Sequence, residues 1–430
     1  MDVFWTRSAR RQRKGLILLL CALPFVACNE LVSVGLNSAP GDGDSFDAEL
    51  SADGLVVVFD SAATNLVAND TNGGFDVFLR NRAHASTERL SVKSDGSEAA
   101  CCSFTPRISG DGRFVVFAST SPDLVPAGTT GVLLRDRTLG TTRLLGSGRR
   151  PAISADGKWV VFLQNAVVVA PPGGLPMVAA GTPLVMNLET GEIDASLSQL
   201  VSTAADLSLS ADGRSIAFSL YQFNVNFIPG QMISAAQVAA CSVRVFDRDR
   251  RILDLVAPVG TAGFSQRPSL SGDGRIVVFD STNASLVPGD TNRVFDVFSA
   301  DRTTGVIERI SVNDSGMEGN GGSAVAAVSA DGDRVLFSSF ASNLDAGGDT
   351  NGVLDIFVRV RSRGLTRRLS VANDGSVSNG SSNIAAISAN GRISAFTSRA
   401  TNLSGFADMG TVFDVFEKPL DDVLPAPPMP

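Results

Sequence analysis

The chain has 430 residues, with 36 Lys and Arg against 44 Asp and Glu, one histidine and 42 glycines. Its net charge of −8 repels phosphate backbones, which argues against nucleic acid as a partner, and a single histidine removes the usual parts of a hydrolase triad or a zinc centre. Abundant glycine, short apolar runs and frequent Asp-Gly pairs favour many short strands joined by turns, so the class is all-β.

At the N-terminus Arg7, Arg10, Arg11, Arg13 and Lys14 precede an apolar run over residues 15–27 that ends at Cys28. The run is shorter than the roughly 18 to 20 residues that span a bilayer, so residues 1–27 read as an export signal rather than an anchor. The run Phe25-Val26-Ala27-Cys28 resembles a bacterial lipobox, although Phe25 departs from the usual leucine. The resemblance implies a lipidated Cys28 as the mature N-terminus, and membrane attachment through that lipid alone; ordinary secretion is the alternative. Residues 1–27 hold five basic residues and one acidic one, which leaves the mature chain near −12, suited to a monomeric domain outside the cytoplasm. Cys101, Cys102 and Cys241 remain there. Three cysteines are no disulfide framework, and adjacent Cys101 and Cys102 read as separate thiols, with a strained vicinal disulfide as the alternative.

One phrase then recurs: Ser-x-Asp-Gly followed by an apolar run ending in Phe. Its anchors are Asp53, Asp111, Asp156, Asp212, Asp273, Asp331 and Asn390. Each full unit carries four strand-like pieces, as in AELS, LVVVFDS, FDVFLRNR and ERLSV between Asp47 and Val92. Four short strands per unit make a propeller blade, and the anchors count seven of them. The Asp-Gly pair predicts a two-residue turn with positive φ at both central positions. The uninterrupted second piece predicts a strand covered on both faces.

The last unit stops after its third strand, at Phe413 to Phe416. Glu30 to Val34 (ELVSV) matches the fourth-strand phrase at Glu88 to Val92 and Glu308 to Val312, so the N-terminal strand is expected to complete the last blade and close the ring, removing open edges. The propeller spans 28–418, and the proline-rich tail 419–430 reads as disordered. The repeated phrase resembles the TolB-like, WD-like propeller repeats of bacterial envelope proteins. That resemblance implies the fold and an envelope location, but the repeat serves many proteins. TolB's six blades and second domain bar the transfer of its interaction residues.

Between second and third strands, four units carry a loop rich in oxygen ligands: Asp70, Asn72 and Asp76; Asp290, Asn292 and Asp296; Asp349, Asn351 and Asp355; and a weaker copy from Asp408 to Asp414. The spacing resembles a shortened calcium loop, yet each offers about three side chains where calcium takes six to eight oxygens. Turns made by Asp and Asn side chains explain the same residues without an ion. His84 falls in an exposed turn. The phrases at Arg135 to Arg137, Arg248 to Arg250 and Asp301-Arg302 occupy third-to-fourth strand turns, where ion pairing between blades explains them.

Blades three and four replace the acidic loop with apolar insertions over residues 164–183 and 220–240. Tyr221, Phe223, Phe227 and Met232 are expected to form an exposed partner surface there; the alternative is that the insertions fold onto themselves as a satellite core. No constellation reads as catalytic and no cofactor is implied, with calcium the one alternative. The chain thus reads as a non-catalytic envelope propeller lipoprotein that presents a face to a protein or glycan. The competing reading is an enzyme or small-molecule binder that uses the channel mouth. A catalyst or binder should gather charged side chains at the ring axis; a scaffold should leave the axis plain.

Overall fold

The short apolar runs between glycine turns become 29 strands in the computed structural model, which describes residues 28–169, 178–224, 232–234, 237–257, 263–405, 412–421 and 423–424. No α-helix occurs among the described residues, and none of their segments is a helix long and apolar enough to cross a membrane. The export signal lies outside the described residues. Four antiparallel sheets of four strands, each in chain order, cover Ser45–Arg89, Thr141–Ser147 with the three strands before it from Ser103, Ser265–Arg309 and Ser323–Arg368. A fifth joins Ser382–Ile387, Ile393–Ser398 and Asp414–Pro419 to the N-terminal Glu30–Leu31. The units anchored at Asp156 and Asp212 share one nine-stranded sheet.

The continuous apolar runs have the burial expected of them. Val56–Ser61 is buried at every position, as is Ile276–Ser281. Alternate side chains serve opposite faces: Val57 and Phe59 pack with Ala386, Ala395 and Val415 of the last unit, whereas Val56 and Val58 pack with Val115 and Phe117 of the next. Each such large side chain contributes about 2 kcal/mol by leaving water.

The anchor turn differs from the expected one. Gly54 N–H donates to the Ser51 carbonyl at 2.9 Å, and only Gly54, at φ +75°, is left-handed. Asp53 keeps a negative φ because its Oδ1 accepts the Leu55 amide at 2.9 Å and the Ser51 hydroxyl at 2.6 Å, an Asx-type closure. A Cβ on Gly54 would also meet Ile393 of the last unit at 2.7 Å.

Glu30 and Leu31 pair with Glu417 and Phe416, and the Val32 amide reaches the Val415 carbonyl at 2.8 Å. Ser33 then donates to Asp414 at 2.5 Å, just as Ser91 donates to Asp76, Ser311 to Asp296 and Ser370 to Asp355 at the same 2.5 Å. The Ser of the ELVSV phrase therefore has the same structural duty as that of ERLSV. Arginines following the third strands tie neighbouring units, as their phrases led one to expect. Arg137 reaches Glu88 at 2.6 Å, Arg248 reaches Asp194 at 3.1 Å, Arg302 reaches Asp254 at 2.9 Å and Arg361 reaches Glu308 at 2.5 Å. Arg82 pairs with Glu417 of the last unit. Each also donates to the glycine carbonyl of its own anchor turn, Arg137 to Gly112 for example at 2.7 Å.

Two further expectations are corrected. The tail is not wholly loose: Leu420 and Leu424 are buried against Phe396 and Phe416, since an apolar side chain beside an open core is better placed inside it; residues 425–430 lie outside the described residues. The insertions extend their hairpins instead of offering an exposed patch at Tyr221. Trp159–Val169, Val178–Asn187, Ser215–Phe223 and Val238–Asp247 are long strands, and Met232–Ile233 pairs in parallel with Val168–Val169. Tyr221, 1% exposed, joins Val167, Val169, Ile233 and Cys241 in a satellite core, with Phe223 half-buried against it. Two neighbouring apolar hairpins hide their surface in each other at less cost than in water. Phe227 lies outside the described residues.

Candidate functional site

The acidic loops converge as their spacing suggests. Carboxylate oxygens of Asp70, Asp76 and Glu98 lie within 4.8 Å of one another, and so do those of Asp290, Asp296 and Glu318. The cation among them is a side chain: Nη1 of Arg89 stands 3.2 Å from Asp70, 3.5 Å from Asp76 and 2.5 Å from Glu98. Arg309 takes the same place beside Asp290 at 3.8 Å and Glu318 at 2.9 Å, and Arg368 beside Asp349 at 3.8 Å and Asp355 at 3.5 Å.

The asparagines are committed to the loop itself. Asn72 donates to Asp76 at 2.8 Å and spends its own oxygen on the Gly74 amide at 2.8 Å; Asn292 and Asn351 repeat both bonds. Burial pushes Asp70 up to about 6. Glu98, on which burial also acts upward, is held at about 2 by hydrogen bonds from Thr71 and Arg89. Calcium needs six to eight oxygens, whereas here a guanidinium fills the convergence point and the oxygens already hold donors. These residues do not fit a calcium ion.

A different set of side chains comes together where no motif marked it. Six residues before each anchor stand Asp47, Thr105, Arg150, Asp206, Arg267, Val325 and Ile384. Every one is left-handed, with φ from 41° to 54°, and the ladder register shifts beside each. A non-glycine residue in that region costs of order 1 kcal/mol or more, and a bulge re-aims the side chains around it. Two of the turned amides are caught by the preceding unit: Thr105 N–H donates to Asp60 Oδ2 at 2.9 Å, and Arg267 N–H to Ser219 Oγ at 2.9 Å.

These bulges surround a cavity of about 630 Å³ to which the first strand of all seven units contributes. Its charged lining is Asp47, Asp60, Arg107, Arg150, Asp206 and Arg267, and Phe46, Phe75 and Phe104 supply an aromatic wall. Phe46 and Phe75 stack with centroids 6.2 Å apart. Cys102 also borders the cavity; like Cys101 and Cys241 it is a free thiol.

Asp60 is 4% exposed, and its Oδ1 has no hydrogen-bond partner among the described residues. Burial pushes its carboxyl up to about 7, with Asp47 adding repulsion and the Thr105 amide, Arg107 and Arg150 pulling the other way. Such a group can take or give a proton at neutral pH. Both terminal nitrogens of Arg267 are buried without a hydrogen bond among the described residues; the Asp280 carboxylate stays 3.8 Å from Nη1. Asp280 accepts instead from Gln266 Nε2 at 3.1 Å, and Gln266 Oε1 accepts from the Tyr221 hydroxyl at 3.0 Å. Tyr221 thus belongs to a buried relay behind the cavity.

Sequence reasoning missed all six charged residues of this lining. The one signal for four of them, Asp47, Arg150, Asp206 and Arg267, was their offset from the anchors, since the column reads Asp, Thr, Arg, Asp, Arg, Val, Ile and invites no alignment by residue type; Asp60 and Arg107 stand outside that column. His84 is exposed in its turn, as expected.

No protein-family model matches the chain, and no curated protein matches it in sequence. Solved structures do resemble it. An oligogalacturonate lyase from Vibrio parahaemolyticus aligns with a TM-score of 0.52 at 12% identity over 92% of this chain and 98% of that one. The β-propeller domain of the Trilobed protease from Pyrococcus furiosus aligns at 0.51 and 8% identity over 87% and 95%. TolB from Acinetobacter baumannii aligns at only 0.39 and 12% identity over 89% and 66%. At these identities the first two likenesses show the fold alone, a β-propeller. The expectation of a non-catalytic chain is corrected by them: the same fold, along nearly its whole length, is that of a lyase, so the fold gives no ground for excluding catalysis.

Proposed function

We propose that the chain is an exported, seven-bladed propeller, closed by residues 30–34, that binds a small polar ligand in an axial cavity. The observation that carries this reading is the cavity itself: one strand from each unit, one bulge per strand, and buried polar atoms of Asp60 and Arg267 without a hydrogen bond among the described residues. Closure is supported by the pairing of Glu30 and Leu31 with Glu417 and Phe416 and by the Arg82 to Glu417 tie. Buried polar groups in native proteins are normally satisfied, and a concave site with a few convergent polar groups and a perturbed carboxyl is the ordinary form of a ligand pocket.

A glycan fragment suits the mixture of aromatic wall, carboxylates and guanidinium groups. Attachment to the envelope through a lipid on Cys28 belongs to the same proposal. A second reading, turnover of the ligand in the cavity, is favoured by one specific observation, the Asp60 carboxyl raised to about 7 beside Arg107 and Arg150.

The test is a thermal-shift panel of neutral sugars, sugar acids, amino acids and dicarboxylates on the mature chain at pH 7. At least one class should raise the melting temperature, and Ala326→Trp, which fills the cavity without touching a charge, should abolish that rise. A panel in which nothing shifts the parent, or in which Ala326→Trp responds equally, contradicts the reading.

A further inference from the structure

Among the described residues, five guanidinium groups have a buried nitrogen without a hydrogen bond, and four of them have an evident occupation. Arg368 donates to Gly348 at 2.7 Å, Arg309 pairs with Glu318 at 2.9 Å, Arg302 reaches Asp254 at 2.9 Å and Arg135 donates to Gly140 at 2.8 Å. Arg89 and its equivalents are likewise filled by their carboxylates. Arg267 differs. Among the described residues neither of its terminal nitrogens has a hydrogen bond, its side chain is 12% exposed, and its ion pair with Asp280 is a long 3.8 Å contact.

The bulge explains the arrangement. Arg267 is left-handed at φ 51°, its amide is fastened to Ser219 at 2.9 Å, and the side chain is thereby delivered to the cavity wall. Asp280 is held back by Gln266, which the Tyr221 hydroxyl orients in turn. The Asp280 oxygen nearest the guanidinium, Oδ2, is the one that accepts from Gln266, and the two charges stay 3.8 Å apart. A desolvated guanidinium kept from its neighbour presents a fork of donors matched to carboxylate or phosphate oxygens. Arg107 and Arg150 line the same cavity, and Arg107 is 3.5 Å from Glu49.

We propose that the ligand of this cavity carries an anionic group, a carboxylate or a phosphate ester, that docks on Arg267, with Arg150 as a further cation of the site. The inference rests on the cavity being a ligand site. Asp47, Asp60 and Asp206 then serve hydroxyl groups elsewhere on the ligand, so a small hydroxylated anion such as a sugar acid or a sugar phosphate is the fitting class. Simple dianions with no hydroxyl groups leave those three carboxylates without a role.

Isothermal titration of the mature chain at pH 6.5 tests this with four probes: glucose, glucuronate, glucose 6-phosphate and inorganic phosphate. Glucuronate or glucose 6-phosphate should bind at least tenfold more tightly than glucose, and the one that does identifies the anion; Arg267→Met should remove that preference. Arg267→Lys, which keeps the charge but not the fork, should retain part of it, and Arg150→Met should weaken it independently should Arg267→Met not fold. Equal binding of glucose and the two anions, or an unchanged preference in a folded Arg267→Met protein, overturns the proposal while leaving the cavity as a site for neutral ligands. Absence of heat with all four probes overturns it too, and the thermal-shift panel then decides separately whether the cavity binds anything.

Discussion

Replacing Asp60 by Asn changes one atom in the cavity wall and should change stability by an amount that grows as pH rises to neutrality. The folded carboxyl is raised from 3.8 to about 7, first by burial and then by Asp47. Between those values the folded chain keeps a proton that the unfolded chain has released, so wild-type stability falls as pH rises through the window. Each factor of ten in proton affinity is about 1.4 kcal/mol, which makes the whole loss at most about 4 kcal/mol by pH 8. Asparagine cannot ionise, and its side-chain oxygen can still accept the Thr105 amide that Asp60 now holds at 2.9 Å. Urea unfolding followed by the fluorescence of Trp159 gives the comparison directly. The variant should exceed wild type by about 1 kcal/mol at pH 4.5 and by about 2 to 4 kcal/mol at pH 8. Asp280 and Glu417 are also raised, to about 6 and about 7, so the quantity to read is the difference between the two proteins at each pH. A gain of equal size at both pH values, or a loss at pH 8, would refute the linkage argument.

Deleting residues 29–36 removes the buried Leu31 and Val32 and the Ser33 to Asp414 bond; a loss of about 5 kcal/mol should lower the melting temperature by about 6 °C for a chain of this length, whereas unchanged melting would contradict closure. Calcium titrated to millimolar concentration should give the mature chain neither heat nor thermal shift. Arg89→Ala, which strips the guanidinium from Asp70, Asp76 and Glu98, should cost about 3 to 5 kcal/mol, part of which calcium should restore; heat from the parent protein would return these loops to the metal reading. Cys28→Ser should release the protein from membranes or leave its precursor uncleaved, and normal processing with unchanged membrane fractionation would argue for ordinary secretion.

The repeat was legible because the same physical demand recurs at each anchor. A Ser hydroxyl and an Asp carboxylate must close the turn, and the strand after it must be apolar on both faces, so residue type and position repeat together. ELVSV was legible for the same reason, its Ser33 answering Asp414 as Ser91 answers Asp76. The cavity was hidden by the opposite circumstance. Its bulge positions share a backbone conformation, but their side chains range from Asp47 and Arg267 to Val325 and Ile384, so a search by residue type passes over them. The counter-charge of the acidic loops was not legible because it comes from the fourth strand: Arg89, Arg309 and Arg368 belong to the ERL, ERI and RRL phrases that serve equally well as plain strand markers. At Tyr221 the apolar composition of the insertions was read correctly, but two such hairpins side by side bury each other, which a strand-by-strand reading does not weigh.

The central claim is that the cavity ringed by the seven bulges is where this protein meets its ligand. A crystal structure of the mature chain grown with glucuronate, and a second with glucose 6-phosphate, tests it most directly. The account predicts one of the two in the cavity, its anionic oxygens within hydrogen-bond distance of Arg267 Nη1 and Nη2 and its hydroxyl groups facing Asp47, Asp60 or Asp206. A cavity holding water alone in both crystals, or a ligand seated on the loops of Asp70 and Asp290 instead, would contradict it.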